Sequence, residues 1–82
     1  MRCAAELHAA HRQLTHAVTG RPSVVATDTL PAGATPSGDV ETELVLRAAR
    51  VPAPVCRAVA DARLAVASVA RQGPDHTVVR VR

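Results

Sequence analysis

Apolar residues recur every three or four positions in the first part of the chain. Between residues 3 and 18 they fall within about 100° of one another on a helical wheel, which predicts an amphipathic helix. This apolar stripe consists of Cys3, Leu7, Ala10, Leu14, Ala17 and Val18. Gly20 and Pro22 follow, and they end the predicted helix.

The next segments favour extended structure and a turn. Residues 23–30, SVVATDTL, are rich in β-branched side chains and precede a proline, so they predict a strand. Residues 31–38, PAGATPSG, combine proline, glycine, serine and threonine, and this composition predicts a mobile loop.

Residues 39–50 fit two structures. As a strand, the segment places Val40, Thr42, Leu44, Leu46 and Ala48 on one face and Glu41, Glu43 and Arg47 on the other. As a helix, it would be capped by Asp39 and followed by Pro52. We favour the strand, because the helical stripe leaves Val45 and Leu46 unexplained.

Two further elements are predicted in the second half of the chain. Residues 53–71 have the pattern of a long helix that ends before Gly73 and Pro74. Its apolar stripe consists of Val55, Ala58, Val59, Ala62, Val66 and Val69. Residues 76–82, HTVVRVR, alternate and predict a strand, with Thr77, Val79 and Val81 on one face and His76, Arg80 and Arg82 on the other.

The resulting order, αββαβ, predicts a small two-layer α+β domain that spans residues 1–82. This order is split-βαβ-like with the first strand missing, which would leave an open sheet edge. If residues 39–50 are helical instead, the order is that of a winged helix-turn-helix domain.

The apolar side chains are unusually small. The chain has 17 Ala, 13 Val and 6 Leu, but no aromatic residue and no Ile. Such side chains bury little area, at roughly 25 cal/mol per Å², and an 82-residue domain has little interior to begin with. We therefore expect a marginally stable monomer, and a homo-oligomer or an obligate protein partner. A GC-rich coding bias would also produce this composition.

The positive charge lies in the second half. Residues 1–43 carry three Arg and five acidic residues, whereas residues 44–82 carry seven Arg and two acidic residues. The absence of aromatic side chains excludes nucleic-acid surfaces that stack bases. Phosphate contact by arginine remains possible, and its candidates are Arg57, Arg63, Arg71, Arg80 and Arg82. The other interpretation is that Arg80 and Arg82 pair with Glu41 and Glu43 across the sheet.

Leu64 is the one large apolar residue on the polar face of the predicted long helix. Arg57, Ser68 and Arg71 surround it there, so these four residues form a candidate partner-binding patch.

Candidate chemical motifs are weak. His8, His11 and His16 lie on one flank of the first helix, but no pair has the i, i+4 spacing of helical zinc sites, so we expect them to face water and to bind no metal. Residues 33–40, GATPSGDV, have the glycine spacing of a phosphate-binding loop, yet Asp39 replaces the required lysine. No nucleophile–base motif is present, so the sequence predicts no enzyme and no cofactor.

The sequence also bears on location. Glu6 and His8 interrupt any apolar leader, and the longest apolar run, residues 64–70, is too short to span a bilayer. Cys3 and Cys56 lie in helical patterns and are expected to be reduced. We expect a cytoplasmic, non-enzymatic binding or regulatory domain that self-associates or docks on a protein. The alternative is an Arg-mediated DNA- or RNA-binding regulator of winged-helix type.

Overall fold

Within the described residues, two helices and a four-stranded sheet form an α+β fold. The computed structural model describes residues 3–31 and 40–82. The elements are α1 (Ala4–Val18), β1 (Val24–Pro31), β2 (Val40–Leu46), α2 (Ala53–Asp61), β3 (Val66–Arg71) and β4 (Thr77–Val81). The predicted first helix and the strands predicted over 23–30 and 76–82 are therefore confirmed. The strand predicted over 39–50 is confirmed for residues 40–46, whereas residues 47–50 are bends. Pro31, the first residue of the predicted loop, belongs to β1 instead, and residues 32–38 lie outside the described residues.

The strands are all antiparallel to their neighbours, in the order β1-β2-β4-β3. Strands β2 and β3 consequently run in the same direction, with β4 between them and α2 connecting them, which is a split β-α-β unit. The expected order had three strands, whereas the sheet has four. The winged-helix alternative is wrong, because residues 40–46 form a strand within the sheet rather than a helix.

The core lies between one face of the sheet and the two helices. Alternation along β2 and β4 turns seven side chains to this face; Val40, at the start of β2, is half-buried, and the other six are buried: Thr42, Leu44, Leu46, Thr77, Val79 and Val81. Both sets were predicted from the period-two pattern. Helix α1 contributes Leu14 and Val18 to the same core, and α2 contributes Val55 and Val59, together with Ala62 just after its end. No helix in the described part of the chain is long and apolar enough to cross a membrane.

The prediction of one long helix over residues 53–71 is wrong for its second half, because α2 ends at Asp61. Arg63 adopts the left-handed conformation, with a φ of 57°. Its N–H donates to the Ala60 carbonyl at 3.0 Å, and the Leu64 N–H donates to the Val59 carbonyl at 3.1 Å. These two bonds form the Schellman motif, and Leu64 packs against the core cluster that contains Val59. The sequence lacks the glycine that usually marks such a helix end.

Strand β3 follows this turn and contains a β-bulge. The bulge gives two valines on one face of the sheet the three-residue spacing that is typical of a helix. Val66 pairs with Val81, and Val69 pairs with Val79, while the register shifts by one residue at Ala67. The extra residue brings Val66 and Val69 to the same face of the sheet although they are three positions apart. A spacing of three is also that of a helix, and this is why the sequence pattern predicted one.

The left-handed turn predicts opposite effects for two glycine substitutions. Arg63→Gly removes the steric cost of a left-handed non-glycine residue and should raise the free energy of unfolding by up to about 1 kcal/mol. Arg57→Gly, within α2, should lower it by about 1 kcal/mol. Urea unfolding followed by circular dichroism measures both values. An equal loss of stability in the two variants would contradict this helix end.

Candidate interaction surface

Strand β3 forms one edge of the sheet, and all six of its residues are exposed. Val66 is 43% exposed and Val69 is 54% exposed. Both lie on the helix side of the sheet, because their partners in the register, Val81 and Val79, are buried there. The nine-residue helix α2 leaves these two valines uncovered.

The backbone of β3 presents hydrogen-bonding groups at the open edge. The N–H of Gln72, just after β3, donates across the hairpin at 2.9 Å. Bonded and non-bonded pairs alternate in an antiparallel ladder, so Ala70 and Ser68 are the residues of β3 that bond to β4. Val69 and Arg71 occupy the intervening positions. Their N–H and C=O groups therefore point away from β4, toward the open edge.

The opposite edge, β1, carries features that prevent strand pairing. Asp28 places a carboxylate in the middle of β1, the register with β2 shifts at Val25, and the strand ends at Pro31, which has no N–H. Charge, bulges and proline are the usual means by which proteins protect edge strands. Strand β3 has a bulge at Ala67 and a charged residue, Arg71, at its end, but it contains no proline and no charge in its middle. The two edges therefore differ in how readily they accept another strand.

The four residues of the predicted partner-binding patch do not share a helix face, because α2 ends at Asp61. Arg57 is exposed on α2, whereas Leu64 is partly buried against the core. Ser68 and Arg71 lie on β3, and the Arg71 guanidinium donates to the Pro74 carbonyl at 3.4 Å. Only the latter two residues of the patch belong to the exposed edge. Partner binding by these four residues stays a prediction.

Sequence reasoning predicted an open sheet edge but assigned Val66 and Val69 to a buried helical stripe, and so missed that residues 66–71 form an edge strand. A signal for it was present, since the turn residues from Gly73 to Asp75 stand between two valine-containing segments, as in a β-hairpin. That signal competed with the helical spacing of the valines, which the bulge at Ala67 explains.

The arginines considered for nucleic-acid contact are spread over several elements. Arg57 lies on α2, Arg63 follows that helix, Arg71 ends β3, Arg80 lies on β4 and Arg82 follows β4. Two of them form ion pairs on the helix-free side of the sheet. Arg80 Nη2 lies 3.4 Å from Glu43 Oε2, and Arg82 Nε donates to Glu41 Oε2 at 2.9 Å. The predicted pairing of these arginines with the two glutamates is confirmed, and it neutralises part of the positive half.

The histidines of α1 divide between solvent and the interior. His8 and His16 are exposed, as predicted. The expectation that His11 faces water is wrong: it is buried, and its Nδ1 lies 2.8 Å from Thr42 Oγ1. This flank of α1 packs on β2, so a polar side chain is accommodated there by a hydrogen bond. Within residues 3–31 and 40–82, no group of three or more His, Cys, Asp or Glu residues is arranged to hold a metal ion.

Two shallow grooves border α1 and α2. The larger, about 350 Å³, includes Glu6, Asp61 and Arg63 in its lining, and the smaller, about 230 Å³, includes Arg21, Arg57 and again Asp61. Both grooves mix acidic and basic groups. Neither groove therefore favours a ligand of one charge.

Comparisons of the chain with protein-family models, with curated proteins and with solved structures return no match.

The two ion pairs should differ in their contribution to stability. Glu41 is nearly buried, with 11% of its side chain exposed, whereas 27% of the Glu43 side chain is exposed. Arg82→Ala would leave the Glu41 carboxylate without its partner and should lower the free energy of unfolding by about 1–3 kcal/mol. Arg80→Ala should cost no more than about 1 kcal/mol. Urea unfolding checks the order, and a larger loss for Arg80→Ala would contradict it.

The His11–Thr42 contact yields a second prediction. Thr42→Val removes the hydroxyl that His11 Nδ1 contacts and should lower the free energy of unfolding by about 1–3 kcal/mol. Thr29→Val is the matched control, because Thr29 lies directly opposite Thr42 in the sheet but is exposed. The control should change stability by no more than about 0.5 kcal/mol. Thermal unfolding of both variants tests this prediction. An equal loss of stability in the two variants would show that the contact between His11 and the Thr42 hydroxyl does not stabilise the fold.

Proposed function

We propose that the protein is a non-enzymatic binding or regulatory domain that acts by self-association or by docking on a protein partner. The supporting observation is the edge strand β3, which is exposed on both faces and has the backbone groups of Val69 and Arg71 directed outward. Addition of an extended segment to such an edge is a common mode of protein recognition. Backbone hydrogen bonds supply the affinity, and the alternating side chains supply the specificity.

The side chains on the two faces of β3 define what an added strand would meet. On the helix side it would meet the exposed, apolar Val66 and Val69 and, at the end of the strand, the charged Arg71, whose register partner Thr77 is buried on that side. On the other side it would meet Ser68 and Ala70, which are small. The edge therefore suits an extended segment with an apolar residue on the helix side and tolerates a range of residues on the other.

The proposal includes neither a catalytic group nor a cofactor, because the described surface that favours a partner is made of backbone and small side chains. We further propose a cytoplasmic location. Cys3 and Cys56 are free and exposed, and free thiols are typical of that compartment.

Binding of DNA or RNA by the arginines is the alternative proposal, and it has less support. Arg80 and Arg82 are engaged with glutamates, and Arg57, Arg63 and Arg71 lie on different elements. The winged-helix geometry that would have placed a helix in a groove is absent from the described residues. Affinity for a nucleic-acid duplex that falls steeply with added salt would nevertheless support it.

The proposed edge binding is tested with a library of linear peptides selected on the wild-type protein. Val69→Pro removes one outward N–H from β3 without removing a bond to β4, and edge strands tolerate proline at such positions. Affinity of the selected peptides should fall by about tenfold or more in this variant, because the backbone bond is lost and the ring obstructs the edge.

Val69→Ala is the matched control for this experiment, since it keeps the N–H and removes only apolar contact. It should weaken peptide binding less than Val69→Pro does. Circular dichroism verifies that both variants are folded. Peptides that bind wild type and the folded Val69→Pro variant equally well would show that β3 is not the binding edge.

A further inference from the structure

The open edge of β3 is complementary to itself. Val69 directs its backbone groups outward, so two antiparallel copies of β3 can exchange hydrogen bonds about a twofold axis beside this residue. In that register Val69 faces Val69 of the second copy, and Ala67 faces Arg71 of the second copy. Each charged guanidinium then lies opposite a small neutral residue.

Neighbouring registers are less favourable for physical reasons. An axis at Arg71 would place two guanidinium groups directly opposite each other, and like charges in that position are destabilising. An axis at Ala70 would place Val69 opposite Arg71 and would set an apolar side chain against a charged one. The axis at Val69 places neither Arg71 nor Val69 opposite the Arg71 of the second copy.

The same arrangement covers the more exposed of the two valines. A twofold axis perpendicular to the sheet keeps the helix layers of both copies on the same side. Val69 of each copy then lies between the two helix layers, where it meets Val69 of the other copy. The 54% exposure of Val69 in the single chain thus has a specific occupant.

We infer that the partner of β3 is a second copy of this chain, paired antiparallel about Val69 to form one continuous sheet. This inference rests on the proposed edge binding and names its partner. The other edge does not compete for the second copy, because β1 carries Asp28, a bulge at Val25 and Pro31.

Cysteine cross-linking tests the register in the full chain. Cys3→Ser and Cys56→Ser first remove the two exposed thiols. Single cysteines are then introduced as Val69→Cys, as Ala70→Cys for the alternative axis, and as Val25→Cys for the β1 edge. Under mild oxidation Val69→Cys should form disulfide-linked dimers at least about tenfold faster than the other two, because only these thiols come within bonding distance.

Sedimentation equilibrium and amide hydrogen exchange complete the test. The wild type should be dimeric, the Val69→Asp variant should dissociate at least about tenfold more readily, and the Val69 amide should be protected only at concentrations where the dimer forms. A folded monomer whose Val69 and Arg71 amides exchange freely would overturn the second copy as partner but leave the edge open to another protein. A monomer in which those amides are protected would overturn both proposals.

Discussion

The pairing of β2 with β4 is the interaction on which the rest of this structure depends. It joins segments more than thirty residues apart in the chain, and it aligns Leu44 with Val79 and Thr42 with Val81 on one face. Six of the seven inward side chains of these two strands are buried, and the seventh, Val40, is half-buried. Both helices pack on this face, so the apolar core is built on strands β2 and β4.

The small side chains set the extent of that interior. With no aromatic residue available, the layer between helices and sheet is filled by leucine, valine, alanine and threonine, together with the hydrogen-bonded His11. Helix α2 has nine residues and ends in a Schellman motif at Arg63. Because the helix stops there, the chain returns as β3 and extends the sheet beyond the area that the helices cover. The exposed edge is thus a direct consequence of where α2 ends.

The charges and the edges of the sheet support the proposal of protein binding over that of nucleic-acid binding. On the helix-free face, Arg80 and Arg82 are occupied by Glu43 and Glu41, which reduces the positive charge available to a nucleic acid. Among the described residues, the β3 edge has outward backbone groups and exposed valines, and it lacks the acid and the proline that protect β1. In the proposed dimer, a second copy of the same edge would bond to the backbone groups of Val69 and cover its side chain without opposing like charges.

The sequence by itself determined the α+β class, the first helix, the strands β1, β2 and β4, and the inward faces of β2 and β4. These features follow from local periodicity, and the pairing of Arg80 and Arg82 with the glutamates followed from the outward faces of the same two strands. Tertiary structure alone decided the segment from Ala62 to Arg71, because a left-handed arginine and a bulge depend on bonds to Val59, Ala60 and β4 rather than on residue spacing. It also decided the burial of His11, since the hydroxyl that accommodates this side chain lies on a strand distant in sequence.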